Sequence, residues 1–537
     1  MELTAALQKL DQLQRKQLAY SHAMGLIDYD GMTAAPSGTA ANRAETLGIL
    51  AEEVYKLSTG EETVALLDGL HAHLDELDEV HQRIVKVMYK NIDETRRIPM
   101  EEYVAYQKLT TESDAIWHTA KENNDYALFM PYLERLIAQT QRIMRYIKPD
   151  QPVYDTLLDR FETGLTRAKC DAFFDVVRRE LVPFIHRVTA AKQVDDSPLH
   201  GHFPLDKQRQ LSDYLMQVIG LDRAHCTIAE TEHPFTTGFT KYDVRITTHY
   251  LEDNFASSMY SVIHEGGHAL YDTHPMDKLA YTVLGGGVSM GIHESQSRFF
   301  ENIIGRSRSF IRLIAPKLHE LFPETAAYDD EALYHAFNRA EPSLIRTEAD
   351  ELTYCLHILI RYELEQQLFD GKLTVQELPA AWNRLYKECL GVDVPSDHEG
   401  VLQDTHWADA LFGYFPSYAL GSAYGAHMLH VMRQTVDVDA ALASGDLSPI
   451  NGWLCEHIWQ YGGLYEPETL LSRALGEPFD PMYYVNYLKN KYSEIYGLAL
   501  DFGQKPRRSR QNRLPSHGGQ PFLMRKPILE DDPCVCF

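Results

Sequence analysis

The chain has 537 residues, and its 44% hydrophobic and 24% charged content is that of an ordinary globular protein with a large core. A formal net charge of −26 argues against a nucleic-acid partner, because a polyanion would be repelled over most of the surface. No run of about 18 apolar residues is present to span a bilayer, and seven cysteines, odd in number and mostly far apart, read as reduced thiols in the cytoplasm instead of a disulfide framework.

In chain order, the N-terminus alternates apolar and charged residues at helical spacing without the apolar core of a signal peptide. From Glu2 to about Ile147, apolar residues recur three and four apart, which predicts helices almost throughout. The stretches from Cys170 to Ile219 and from Arg298 to Leu498 read the same way, with Gly, Pro and Asp at the breaks. Between Thr227 and Met290 the pieces HPFTTGFT, YDVRITTHY and YTVLGGGVSM alternate with period two and predict a small antiparallel sheet. No internal repeat or long linker divides residues 1–502, which are expected to form one unit. Residues 503–537 open with a stretch rich in Pro, Gly, Ser and Arg, expected to be a disordered basic tail. They end in CVCF, which formally fits a prenylation signal, although a divergent tail is the plainer account.

Inside the sheet region lies HEGGH, residues 264–268. Two histidines four apart share one face of a helix and can ligate one metal, with the intervening Glu265 placed beside the open coordination position as a general base. The two glycines are poor helix formers, at about 1 kcal/mol each relative to alanine. A helical wheel puts Gly266 almost opposite His264 and His268, on the apolar stripe, so the glycines admit a close neighbour behind the helix and leave the metal face intact. A zinc site needs a third protein ligand and keeps its fourth position for water, whose pKa it lowers toward about 7. Glu294 in GIHESQSRFFEN is the first candidate, with His293 and Glu301 as competitors. Taken alone, Glu294 is also explained as a surface carboxylate paired with Arg298 four residues on. Asp272 and Glu301 are candidates to orient the histidines from behind.

Six motifs in order, HPF (233–235), DVRIT (243–247), HEGGH, HESQSRFFEN (293–302), IRTEAD (345–350) and GVLQDTHW (400–407), resemble those of the M32, or carboxypeptidase Taq, family of metallocarboxypeptidases, across roughly residues 1 to 500. The resemblance implies His264, His268 and Glu294 as ligands of one divalent metal per subunit, zinc with cobalt as the alternative, and Glu265 as the general base. It points to Arg346 for the substrate's C-terminal carboxylate, a task suited to the planar guanidinium fork. It also places His233, Arg245 and His406 in the cleft. Tyr418 of GYFPSYALG is the candidate to steady the oxyanion, with Tyr424 and His406 as alternatives. Two departures stand out: the first variable residue of the zinc motif is usually larger than Gly, and FFEN replaces an aromatic pairing ending in Trp. The tail has no counterpart.

The combined expectation is an all-α fold with a small antiparallel sheet beside a deep active-site groove, acting on peptide substrates as a cytoplasmic homodimer. The expected reaction is zinc-dependent release of single C-terminal amino acids. An endo-oligopeptidase or dipeptidyl carboxypeptidase on a similar scaffold is the nearest alternative. A non-catalytic peptide-binding protein with a retained metal site is a third, against which Glu265 speaks, since a structural zinc has no use for a general base.

Overall fold

The computed structural model describes residues 2–499; the basic tail and its CVCF end lie outside them. Helices dominate, as the spacing predicts. The first four are α1 (Leu3–Thr33), α2 (Ala40–Thr59), α3 (Glu61–His71) and α4 (Glu79–Arg97). They share a satellite cluster built on Leu10, Leu67, Leu70, Ile84 and Val85, into which Leu279, Leu284 and Leu464 reach from the rest of the chain. Five more follow, α5 (Met100–Glu122), α6 (Tyr126–Ile147), α7 (Val153–Phe161), α8 (Arg167–Ala190) and α9 (Leu205–Val218). From α5 onward, one continuous apolar core runs to Tyr496.

Three short strands come next: β1 (Cys226–Glu230), β2 (Thr236–Thr240) and β3 (Asp243–Thr248), in the order β1-β3-β2. The sheet is mixed, not antiparallel. β2 and β3 form an antiparallel pair, but β1 runs parallel to β3, with Cys226 opposite Val244. The third strand is CTIAE, and YTVLGGGVSM forms turns. In that segment the peptide groups close on one another, Thr282 N–H on Leu279 O and Gly285 N–H on Thr282 O, so its alternation finds no neighbouring strand.

The site is carried by α10 (Phe255–Thr273) and α11 (Met290–Arg298), the latter continuing into a wide π turn at Phe299–Ile304. Each starts on a side-chain cap, Asn254 accepting from Ser257 N–H and Ser289 from Ile292 N–H. The remaining helices are α12 (Arg308–Leu321), α13 (Asp330–Phe337), α14 (Tyr354–Phe369), α15 (Leu378–Leu390), α16 (Pro416–Met432), α17 (Val438–Ser444), α18 (Ser448–His457), α19 (Pro467–Leu475) and α20 (Met482–Ile495). In α14, twelve of sixteen residues are buried, which marks it as a central helix with no solvent face. α16 is buried in the same way.

Glycines bring the three site helices together. A Cβ on Gly267 of α10 would lie 2.6 Å from Gln296 O and 2.8 Å from Ser297 Cα, so the backbones of α10 and α11 touch there. Gly266 faces the other way, onto the side chains of Ile219 and Leu221, on the apolar side that the wheel predicts. On the far side of α11, a Cβ on Gly421 of α16 would lie 2.7 Å from Glu294 Cγ. α11 is thus held between α10 and α16.

Candidate active site

Being four apart on one turn-and-a-bit of α10, His264 and His268 present their rings together, with centroids 5.0 Å apart. Their Nε2 atoms lie 3.8 Å and 3.6 Å from Glu294 Oε2. Ligands at about 2.1 Å from a tetrahedral ion stand roughly 3.4 Å from one another, so this donor set fits a small divalent metal with little movement. Among the described residues it is the one group of three or more such side chains whose ligand atoms all lie within 4.8 Å.

The other nitrogens of both rings are occupied. His264 Nδ1 meets Glu301 Oε2 at 2.8 Å, and His268 Nδ1 meets His293 Nδ1 at 2.6 Å, whose Nε2 reaches Asp272 Oδ1 at 3.0 Å. Glu301 and Asp272 therefore stand behind the two candidate ligands, Asp272 through His293, where such groups fix the tautomer and orientation of a ligating imidazole. His293 supports His268 and does not compete with Glu294 for the metal position.

Glu294 is 6% exposed, and its expected partner Arg298 is present, with Nε donating to Oε1 at 2.7 Å. The ion pair leaves the other oxygen open to a ligand role, since Arg298 is bonded to Oε1 while the two histidines face Oε2. Burial alone would raise the Glu294 pKa, but Arg298 and the two histidines hold it well below the usual carboxylate range. Arg298 Nη1 also donates to Glu301 Oε2 at 3.1 Å, and Glu301 is held down at about 2, burial being outweighed by Arg298 and His264.

Glu265, close enough to His264 and His268 for its charge to act on both, is anchored to the sheet. Thr236 Oγ1, at the start of the edge strand β2, donates to Glu265 Oε2 at 2.6 Å and contacts Glu265 O at 3.0 Å. Oε1 has no hydrogen bond among the described residues. Thr236 carries no signal in the sequence, since a threonine in a strand is ordinary.

Arg346 is 7% exposed, its Nε donating to Asp404 Oδ1 at 2.8 Å and Nη1 to the Tyr354 hydroxyl at 3.2 Å. Its Nη2 has no hydrogen bond among the described residues. Arg361 of α14 donates to the other oxygen of Asp404 at 2.6 Å. Burial would raise the Asp404 pKa, but the two guanidiniums keep it far below the ordinary range. Asp404 and Tyr354 were not singled out by sequence, although Asp404 sits inside GVLQDTHW.

Tyr418, on the first turns of α16, lies with its ring 5.0 Å from the Arg346 guanidinium and its hydroxyl 3.1 Å from His406 Nε2. Burial raises the Tyr418 pKa, so it is a neutral donor. Burial also lowers His406 to about 4, with Arg346 and Arg361 adding to the effect of burial against Asp404. Tyr414 closes the group, its ring 5.1 Å from that of Tyr418. Tyr424, two turns along α16, packs instead on Phe479 in the core. His233 is exposed just ahead of β2. Arg245 is engaged by both oxygens of Asp243, at 3.0 and 3.1 Å, and lies between the rings of Tyr29 and Phe239, where it ties α1 to the sheet.

Residues 9–492 match the model of the family described as carboxypeptidase Taq (M32) metallopeptidase. Carboxypeptidase 1 of Bacillus subtilis is 40% identical over 484 residues, covering 89% of this chain and 96% of its own. Thermostable carboxypeptidase 1 of Pyrococcus furiosus is 34% identical, with the same coverage of 89% and 96%. The crystal structure of the M32 carboxypeptidase from Deinococcus radiodurans superimposes with a TM-score of 0.90 at 33% identity, over 92% of this chain and all of that one.

Proposed function

Because the chain belongs to the carboxypeptidase Taq (M32) family of metallopeptidases, and is a peptide hydrolase, we propose that it releases one C-terminal amino acid per cycle, with zinc held by His264, His268 and Glu294 and with Glu265 as general base. The observation that carries this reading is Arg346: a buried arginine with a free N–H group, joined to the metal ligands through the contacts Glu294 to Arg298, Arg298 to Tyr354 and Tyr354 to Arg346.

A divalent metal bound there would supply Lewis acidity and lower the pKa of its water. The protein's own groups do the rest. Arg346 binds the terminal carboxylate, which sets the last peptide bond toward the ligands. An extended substrate pairs with the free edge of β2, next to exposed His233, along a deep groove. Glu265, steadied on one oxygen by Thr236, takes a proton from water with the other and passes it to the leaving amine. Tyr418 donates a hydrogen bond to the developing oxyanion, and His406, neutral at working pH, orients the phenol from the far side. Arg245 acts at a distance, by holding α1 on the sheet.

Residues 1–502 form the hydrolase unit in this reading, and the protein works as a cytoplasmic homodimer. Burial of Cys170, Cys226, Cys355 and Cys389 as free thiols supports a reducing compartment. No helix among the described residues is long and apolar enough to cross a membrane. Steady-state kinetics of Arg346→Ala on a peptide and on its C-terminal amide test the assignment. The wild type is expected to cleave only the free acid, and the variant to lose that preference. Equal cleavage of both by the wild type would favour an endo-oligopeptidase.

A further inference from the structure

One line of contacts from Glu294 to Arg346 runs through Arg298 and Tyr354, beside the packing of Tyr418 on Arg346, and the proposal that follows rests on the reading of Arg346 as the carboxylate holder. Tyr354 is the first residue of α14 and is 4% exposed. The Arg298 guanidinium lies 4.0 Å from its ring centroid, and Arg298 donates to both Glu294 and Glu301. At the other end of the ring, the hydroxyl accepts from Arg346 Nη1 at 3.2 Å. One phenol therefore has the metal side on its face and the carboxylate side on its oxygen.

We propose that Tyr354 is a positioning residue that holds Arg346 at a set distance from the metal ligands and so ties recognition of the terminal carboxylate to the bond that is cut. A residue of extended peptide spans about 3.3–3.6 Å, so a shift of Arg346 by a fraction of that misplaces the scissile carbonyl. A phenol suits the task because it turns on only two torsions and both are packed. α14 secures the far side as well. Arg361 is wholly buried and grips the same Asp404 that takes Arg346 Nε. Without the Tyr354 hydroxyl, the bond from Nε to Asp404 is the one side-chain hydrogen bond left to the Arg346 guanidinium among the described residues, and only its packing on Tyr418 and Phe415 then restrains the end of the fork.

The test compares Tyr354→Phe, Tyr354→Leu and Arg346→Ala by steady-state kinetics on a peptide with a blocked N-terminus and by zinc affinity from competition with a chelator. Tyr354→Phe removes only the hydroxyl, and is expected to raise KM about five- to tenfold and to lower kcat about threefold or more, because the scissile carbonyl is held less well, with zinc affinity unchanged. Tyr354→Leu also removes the ring beneath Arg298, and is expected to weaken zinc binding in addition. A wild-type KM in Tyr354→Phe, alongside a raised KM in Arg346→Ala, would overturn the inference and leave the function standing. Equal losses in KM, kcat and zinc affinity in Tyr354→Phe would also overturn it, as the mark of general disruption. A wild-type KM in Arg346→Ala would remove the reading of Arg346 and this inference with it.

Discussion

Two side chains decide how the carboxylate half of the site responds to change. Asp404 is the sole acidic partner of the buried Arg346 and Arg361 among the described residues. Its replacement by alanine leaves two buried cations uncompensated, and is expected to cost about 3–5 kcal/mol of stability in denaturant unfolding. A loss below about 1 kcal/mol would mean that solvent reaches the pair. His406 has its pKa lowered to about 4. The sign follows: the folded state favours the neutral ring, and the stability this gives is full above about 6.5 and declines as pH falls toward 4. Its C2–H resonance is therefore expected not to titrate between pH 5 and 8, and a midpoint near 6.5 would contradict its burial beside two arginines. At this scale the spacing of His264 and His268 marked them as candidate ligands, and the likeness of the HES motif to the family's marked Glu294, the group of three that the structure brings together. Asp404 was silent because its partners lie 58 and 43 positions away.

The glycines and caps of α10 and α11 turn residue chemistry into element geometry. Gly267→Ala puts a methyl against the α11 backbone, which cannot step aside, and is expected to destabilise by about 1–3 kcal/mol and weaken metal binding. Gly266→Ala meets the flexible end of Ile219 and gains about 1 kcal/mol of helix propensity, so thermal unfolding is expected to show little change. Equal effects of the two would contradict the packing described. At the start of α11, Glu162 accepts from Gly291 N–H at 2.9 Å, and burial raises it to about 7 against the pull of Ser289 and Gly291. A carboxylate with a raised folded pKa loses stability as pH climbs from about 4.5 through 7. Glu162→Gln is therefore expected to gain on the wild type between pH 5 and 8 in unfolding experiments; a constant difference would show that Glu162 does not titrate there. Helices were legible here because their apolar period extends over many turns. The strands were less so: CTIAE is five residues long and pairs in parallel with β3, a partnership no local pattern encodes.

Over the whole molecule, the site is built where the sheet, α10, α11, the loop before α16 and the central helix α14 converge on one core. Six motifs scattered from residue 233 to 407 were readable as a set and pointed to the right family. How they meet was not readable, because Thr236, Tyr354 and Asp404 act through contacts between distant elements. Since the proposed ligands come from two helices, a metal bound by them would link α10 to α11. Chelation is expected to lower the unfolding temperature, and zinc at about 100 times its Kd to return about 2.7 kcal/mol of stability. Release of one C-terminal residue per cycle is tested by mass spectrometry of the products from a peptide with a blocked N-terminus, comparing the zinc-loaded wild type with Glu265→Gln. Stepwise loss of single C-terminal residues is expected of the wild type, and a fall in rate of about 10²–10⁴-fold in a variant that still binds zinc. Release of dipeptides or internal fragments, or undiminished turnover by the variant, would contradict that expectation.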